Sequence, residues 1–175
     1  GEPIDMSALA TELGIGRSTL YRLVGNREDL LSTVLAEATE RTFRRAVTEI
    51  AAEAGPNVDA LGGTEYLLKV MDRFLNAVVD AKPLQAISQR EPLLIVRLML
   101  LPGLVEQTAG RLVSELLEAE IAAGRMELPL PPSTFGLALI RMCDAHLYAP
   151  LLGGGAPEIG TALDLVAALL GHNRG

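Results

Sequence analysis

The chain has 175 residues, of which 49% are hydrophobic and 3% aromatic, and its formal net charge at pH 7 is −7. This composition can bury a sizeable core of Leu, Val, Ile, Ala and Met, which favours helices over strands, and the negative charge argues against broad non-specific affinity for nucleic acids. The single cysteine, Cys143, excludes an intrachain disulfide framework and is typical of a reducing cytoplasm.

Residues 4–31 predict two short helices joined by a tight glycine turn. Ala8, Leu9 and Leu13 give the first helix an apolar side, and Gly14-Ile15-Gly16 ends it. Two helices that meet at such a corner are typical of the helix-turn-helix motif, whose second helix lies in the major groove of DNA. The alternative interpretation is an ordinary helical hairpin with a solvated face.

The second helix is predicted over residues 17–24, with Leu20, Leu23 and Val24 turned inward and polar side chains facing out. Three arginines and no acidic residue lie between Leu13 and Glu28, so this part of an acidic protein carries a small basic surface. That surface favours contact with DNA phosphates and base edges over the hairpin alternative.

The run Gly14-Ile15-Gly16-Arg17-Ser18-Thr19-Leu20-Tyr21, followed by Asn26-Arg27-Glu28-Asp29-Leu30-Leu31, resembles the signature of the TetR family of one-component transcriptional regulators. The resemblance implies a three-helix DNA-binding domain joined to a helical ligand-binding and dimerisation domain. It places Arg17, Ser18, Thr19 and Arg22 where the family reads base edges, and Tyr21 and Arg27 where it contacts phosphate. Residues 88–97 resemble, more weakly, the C-terminal domain of the QsdR-like branch.

Three features depart from the family pattern. Gly16 stands where serine is usual, and glycine is a tolerated N-cap. Val24 stands where phenylalanine is common, which makes the core of the head smaller. The family's first helix would precede Gly1, so we expect this chain to be a truncated or partly ordered copy of a longer one.

Beyond the motif, a helix that begins at Asn26 is predicted to end at Gly55-Pro56-Asn57. Its roughly 28 residues span about 40 Å, enough to join a DNA-binding head to a separate body. We therefore expect a domain boundary after residue 48, with the DNA-binding domain over residues 1–48 and the ligand-binding and dimerisation domain over 49–175.

Apolar periodicity predicts six further helices in the body. Thr64 or Asp59 is a candidate cap for the first of them, and Ser133 or Thr134 for the fifth, which should end before Pro150. The helix over 93–101 is apolar on every side except at Arg97, so it is predicted to be buried. The six predicted segments are 64–81, 84–90, 93–101, 104–123, 133–149 and 157–170.

The fold class predicted is thus all-α, with a helix-turn-helix head that lacks its first helix and a helical-bundle body. The most apolar run, 93–104, is interrupted by Arg97 and Pro102 and is too short to span a membrane. We therefore predict a cytoplasmic protein with no membrane partner.

The last two predicted helices carry few charges, so a partner subunit is expected to cover them. The resemblance implies the same arrangement, a homodimer joined by a four-helix bundle that presents two heads to a palindromic operator in double-stranded DNA. Val166 is predicted to lie in that interface. The alternative is that both helices complete the monomer core.

An enzyme is the main rival class, but convergent titratable groups are scarce. Cys143 and His146 share one side of a helix, and the other histidine, His172, lies in the tail. Two ligands do not make a zinc site, which needs four, or three plus water. We predict no catalytic residue, no metal site and no cofactor.

In a helical bundle, a ligand site lies between helices and is mainly apolar, with a few polar groups that orient the ligand. The polar candidates are Gln89, Arg90, Arg97 and His146. The apolar candidates come from helices predicted to pack inward: Phe74, Val78, Ile87, Leu94, Leu98, Leu117, Phe135, Leu139 and Met142. The alternative is that these apolar residues are plain core and the arginines lie at the surface.

Few charges among these candidates favour a lipophilic effector, such as an acyl compound or a lactone. The function predicted is a ligand-responsive DNA-binding transcriptional regulator, a repressor that a lipophilic small molecule releases from its operator. The alternative is a dimeric DNA-binding regulator without a small-molecule effector, and an enzyme or interaction scaffold is a third interpretation.

Overall fold

The computed structural model describes residues 5–55 and 61–171, and every regular element in those ranges is an α-helix. Predictions that concern Gly1, Ile4, Pro56-Asn57, Asp59 and His172 lie outside the described residues. The helices are α1 Met6–Glu12, α2 Arg17–Val24, α3 Arg27–Ala54, α4 Thr64–Val79, α5 Lys82–Arg90, α6 Pro92–Leu100, α7 Leu104–Ala122, α8 Pro132–Leu152 and α9 Ile159–Leu169.

The head is built by α1, α2 and the first turns of α3 around a small cluster of Met6, Ala10 and Leu20. Gly14 turns the chain between α1 and α2 at a φ of +67°, a backbone conformation that glycine adopts without strain. The predicted inward orientation of Leu23 is wrong, because it is 68% exposed, and Leu13, from the apolar side predicted for the first helix, is 56% exposed. Helices of seven and eight residues cover only one face of each other.

The start of α3 is held by a capping box. The Asn26 side chain accepts hydrogen bonds from the backbone N–H groups of Glu28 and Asp29, and the Asp29 carboxylate accepts one from the N–H of Asn26. These bonds satisfy backbone donors that have no partner inside the helix. The long helix therefore begins at a fixed point directly after the turn that follows α2.

The body packs α3 against α4 and α7, and α8 against α6, α7 and α9. Its core is continuous and aliphatic, and an edge-to-face contact between Phe43 and Phe74 joins α3 to α4. The largest completely enclosed apolar side chains are Leu67, Met71, Leu75, Ile95, Leu117, Leu139, Leu147 and Leu163. The two candidate domains thus share α3, and the boundary after residue 48, which falls inside this helix, stays a prediction.

The predicted end of α8 before Pro150 is wrong, since the helix continues to Leu152. Proline has no N–H, so it leaves the carbonyl four residues earlier, that of His146, without its helical donor. The backbone N–H of Glu158 supplies that donor from the start of α9, at 3.0 Å. A contact from a neighbouring segment therefore compensates for the proline within the helix.

Two predicted caps are also corrected. α4 is preceded by Gly63 at a φ of +76°, and neither there nor at α8 does a side chain cap the helix. At α4 the Gly63 N–H donates to the buried Glu120 carboxylate of α7, at 2.6 Å. α8 begins one residue before Ser133, at Pro132, because proline suits the first turn of a helix.

α6 is buried on one face only, contrary to the prediction. Leu94, Ile95 and Met99 pack inward, whereas Leu93 is 73% exposed. Only one side of this short helix packs against other helices, chiefly α8. Its apolar composition therefore led to a prediction of more burial than the structure shows.

One helix of the described chain, α8, is long and apolar enough by length and composition to cross a membrane, and α6 with α7 would qualify as a bent pair. The sequence analysis found no such segment because it considered only the run 93–104. In the structure α8 is a core helix, with Leu139, Cys143 and Leu147 enclosed by the body. The core helix of a soluble helical bundle can be equally long and apolar.

Candidate functional site

The outward face of α2 carries most of the residues predicted to contact DNA. Arg17, Ser18, Tyr21 and Arg22 are exposed and fall one turn apart on the same side of the helix, and Thr19 is half-buried. Gly16 precedes the helix in an extended conformation and makes no side-chain cap. The N-terminal part of this helix face is therefore free to contact DNA, as a recognition helix requires.

Arg27, the sixth predicted DNA contact, lies at the first position of α3 and is engaged with the body. Its two terminal nitrogens donate to the two carboxylate oxygens of Glu91, at 2.9 and 2.5 Å. The hydrogen bonds hold the pKa of Glu91 below its ordinary value and raise that of Arg27. Arg97 of α6 pairs in turn with Glu28. Two ion pairs of opposite orientation therefore join the start of α3 to α6 and to Glu91, the residue directly before α6.

A cavity of about 340 Å³ opens among α3, α4, α5, α6, α7 and α8. Of the predicted ligand contacts, Phe74, Val78 and Ile87 line it. The wall on the α3 side comes from Leu31, Val34, Leu35, Ala38, Thr39, Arg41 and Thr42, and the remaining lining residues include Leu84, Met99, Val105, Ala109, Ile140, Asp144, Leu147 and Tyr148. The cavity is thus mainly apolar and touches the helix that carries the head.

The other predicted apolar contacts lie outside this cavity, because they pack into the helix interfaces instead. Leu117, Phe135 and Leu139 belong to the core, Leu94 is buried on the inner side of α6, and Leu98 and Met142 are half-buried.

The predicted polar anchors also lie elsewhere. Arg90 is exposed at the end of α5, Arg97 is paired with Glu28, and the His146 ring lies 3.2 Å from the Glu158 carboxylate. Gln89 lines a smaller hollow of about 180 Å³ that adjoins the main cavity. Their assigned role as effector contacts receives no support from the geometry.

The polar groups that line the cavity were not among the predicted contacts: Thr39, Arg41 and Thr42 of α3, and Asp144 and Tyr148 of α8. Burial, together with the nearby charge of Glu106, raises the pKa of Asp144 to about 8. Burial and the proximity of Asp144 raise the pKa of Tyr148. The signal was available, since the two residues are four apart on an otherwise apolar helix, but the few charges there were attributed to dimerisation.

Cys143 is enclosed by the core, and burial raises the pKa of its thiol to about 12. A thiol of this pKa stays protonated at neutral pH and is a poor nucleophile. Within the described ranges no three His, Cys, Asp or Glu side chains are grouped so that they could hold a metal ion.

The family described as "Tetracyclin repressor-like, C-terminal domain" matches residues 62–171, well over half of the chain. The chain belongs to the TetR family. A solved structure, that of the R. erythropolis transcriptional repressor QsdR from the TetR family, is 47% identical, covers 99% of this chain and 88% of that chain, and superimposes with a TM-score of 0.90. None of the curated proteins matches this chain.

These matches confirm the resemblance on which the prediction rested, including its weaker part, the likeness to the QsdR-like branch. They also confirm the predicted all-α fold with a helix-turn-helix head and a helical body. TetR-family members are DNA-binding regulators of transcription that act as dimers in the cytoplasm, and they are in general not enzymes.

Proposed function

We propose that this TetR-family protein is a ligand-responsive repressor, which binds a palindromic operator as a homodimer and is released by a lipophilic small molecule. The observation that carries the proposal is the apolar cavity of about 340 Å³, a volume suited to a small ligand. One wall of that cavity is α3, whose first residues belong to the head. QsdR, whose structure is similar, is a repressor, which supports the sign of regulation.

On the DNA side, Arg17, Ser18, Thr19 and Arg22 read base edges, and Tyr21 and Arg27 contact phosphates. The exposure of α2 and its place after a glycine turn support these assignments. Two such helices in a dimer would enter successive major grooves about 34 Å apart.

The connection between the cavity and the head has two parts. Leu31, the first cavity residue of α3, follows Arg27 by four residues, about one helical turn. The ion pairs of Glu91 and Arg97 bind that same end of α3 to α6, which contributes Met99 to the cavity.

A ligand shifts such an equilibrium only if it binds one arrangement of α3 and α6 more tightly than the other. An effector that prefers a wider cavity would push α3 and α6 apart, change the spacing of the two heads and lower operator affinity. The ion pairs transmit this change to the head because they hold the same end of α3.

The experiment begins with an operator selected from random double-stranded oligonucleotides. Operator affinity of the protein is then measured by fluorescence anisotropy, with and without medium-chain acyl amides, esters, lactones and free fatty acids. At least one of these compounds should weaken operator binding by tenfold or more, while binding to a scrambled duplex changes little.

Ala109→Phe places an aromatic ring in the cavity and should abolish the response while operator binding is retained. Ala122→Phe, an exposed position on the same helix, is the matched control and should respond like the unaltered protein. If the protein is folded and no compound alters its affinity for the operator, the result would favour the alternative, a dimeric DNA-binding regulator without a small-molecule effector.

A further inference from the structure

Polar side chains interrupt the apolar wall of the cavity on two sides, with Thr39, Arg41 and Thr42 on α3 and Asp144 and Tyr148 on α8. Asp144 and Tyr148 are four residues apart, so they lie on the same side of the helix, one turn from each other. Both line the cavity of about 340 Å³, and Tyr148 also lines the smaller hollow of about 180 Å³ beside it. On α3 the Thr42 hydroxyl already donates to the carbonyl of Ala38, and Arg41 is exposed. This turn of α8 places a carboxyl and a hydroxyl group side by side in the wall of the cavity.

Among residues 5–55 and 61–171, neither group has a hydrogen-bond partner. In the described chain, no hydrogen bond joins the Asp144 carboxyl or the Tyr148 hydroxyl to another residue, so both groups are available to a ligand in the cavity. Glu106, whose charge acts on Asp144, is itself bound to Arg141 at 2.6 Å. The raised pKa of Asp144 reflects the same isolation, because nothing there stabilises the carboxylate.

We propose that the effector carries a secondary amide between apolar groups, whose N–H donates to the Asp144 carboxyl and whose carbonyl accepts from the Tyr148 hydroxyl. The inference rests on the proposed function, since it names the chemical class of ligand for the same cavity. An amide offers a donor and an acceptor in one rigid unit, as the pair of side chains requires. The apolar groups on either side fill the hydrophobic remainder of the cavity.

Other polar groups satisfy this pair less well. An ester or a simple lactone has no donor, so it leaves an oxygen of Asp144 without a partner. The carboxylate of a fatty acid would lie near the charge of Glu106, which already opposes ionisation of Asp144, and like charges repel each other there. A buried polar group that a ligand leaves unpaired lowers affinity, which makes Asp144 the group that discriminates among ligands.

The test compares N-propyloctanamide with propyl octanoate. The two probes are nearly equal in size, and the amide has an N–H group where the ester has an oxygen atom. Binding to the whole protein is measured by isothermal titration calorimetry. The amide should bind about tenfold or more tightly than the ester. Equal affinities would overturn the inference while the cavity remains a ligand site; if neither probe binds, the proposed function fails together with the inference.

Three variants test which side chains are responsible for the preference for the amide over the ester. Asp144→Leu should lose the preference for the amide, with the ester bound at least as tightly as before, whereas Asp144→Asn keeps an acceptor oxygen and should retain the preference. Tyr148→Phe should weaken both probes, because both carry the carbonyl. Asp72→Leu, at an exposed position of α4, is the control for the substitution and should leave both affinities unchanged.

If Asp144→Leu does not fold, the comparison of Asp144→Asn with Tyr148→Phe still decides. A retained preference in the first variant and a weaker amide in the second support the arrangement. A full preference for the amide in Asp144→Leu, or unchanged affinity for both probes in Tyr148→Phe, would contradict it.

Discussion

The arginines of the head differ in whether their side chains already have a partner within the protein. Arg22 is exposed at the end of α2, whereas the guanidinium of Arg27 is bound by Glu91 in a bidentate ion pair. A side chain that reads a base must be free to enter the groove, while a phosphate contact needs only a charge near the DNA backbone. The two arginines are therefore expected to behave differently when they are removed.

Arg22→Ala should weaken binding to the selected operator by about tenfold or more and relax the preference for its sequence, because a base contact is lost. Operator and scrambled duplexes are compared by fluorescence anisotropy at one salt concentration. Arg44→Ala, on the exposed side of α3, is the control and should leave both affinities unchanged. An equal loss on both duplexes would refute the assigned role of Arg22.

Arg27→Ala should weaken binding to all duplexes by a similar factor, because a phosphate contact carries no sequence information. The slope of log affinity against log salt should become shallower by about one charge. Binding is measured over a series of salt concentrations. An unchanged slope would show that Arg27 serves only its ion pair with Glu91.

The cavity carboxyl predicts a pH dependence of stability. The pKa of Asp144 is raised to about 8, so the folded protein keeps a proton that the unfolded chain releases near its ordinary value of 3.8. The resulting stabilisation is complete below about pH 4 and is lost as the pH rises toward 8. An asparagine side chain does not titrate, so Asp144→Asn should gain stability relative to the unaltered protein as the pH rises.

Urea unfolding of both proteins at about pH 5 and about pH 8 measures this difference. The stability advantage of Asp144→Asn should be at least ~1 kcal/mol larger at the higher pH, since one unit of pKa corresponds to about 1.4 kcal/mol. An advantage of the same size at both pH values would mean that Asp144 titrates normally.

At the scale of the helices, α7 and α8 approach closely because glycine occupies the contact. A Cβ atom added to Gly136 would lie 2.5 Å from the Ser114 hydroxyl oxygen and 2.9 Å from the carbonyl oxygen of Gly110. The Ser114 hydroxyl is fixed there by its own hydrogen bond to that carbonyl, at 2.7 Å. The interface cannot accept the added carbon without moving one helix.

Gly136→Ala should therefore destabilise the protein by about 1–3 kcal/mol, the usual cost of overpacking a core. Gly160→Ala in α9 is the matched control, because nothing lies within 4 Å of the added carbon, and it should gain up to about 1 kcal/mol of helix propensity. Urea unfolding at one protein concentration measures both. A neutral Gly136→Ala would mean that α7 and α8 can separate at little cost.

At the scale of the whole molecule, we propose that a partner subunit covers the exposed apolar side of α9. Val166, which the sequence placed in the interface, is completely buried inside the monomer, whereas Leu165 and Leu169 are 40% and 55% exposed. Val166 faces inward because α9 packs that side against α4 and α8. We therefore expect the interface on the exposed side of α9, at Leu165 and Leu169, rather than at Val166.

The double change of Leu165 and Leu169 to Glu should give folded monomers and lower operator affinity by at least tenfold, because two charges cannot be buried unpaired in an apolar interface. Light scattering and circular dichroism measure the mass and the helix content. Val166→Glu should instead lose helix content, since it places a charge in the core. An unchanged dimer in the double variant would place the interface on another surface.

The sequence by itself determined the class of the protein. The glycine turn, the capped start of α3 and the apolar periodicity are local features that act over a few residues, and they gave the helices to within a few positions. The signature over residues 14–31 added the family, which the comparisons confirm. Three of the thirteen candidate ligand contacts, Phe74, Val78 and Ile87, line the cavity.

Only the tertiary structure decided which side of each helix meets a neighbour. Periodicity shows that a helix has an apolar face, but α6 and α9 are apolar on several sides, so packing selected the buried one. The same holds for charges. Arg27 and Arg97 pair with carboxylates more than sixty residues away in the chain, and Asp144 faces a cavity that six helices line. Such contacts depend on how distant segments pack against each other.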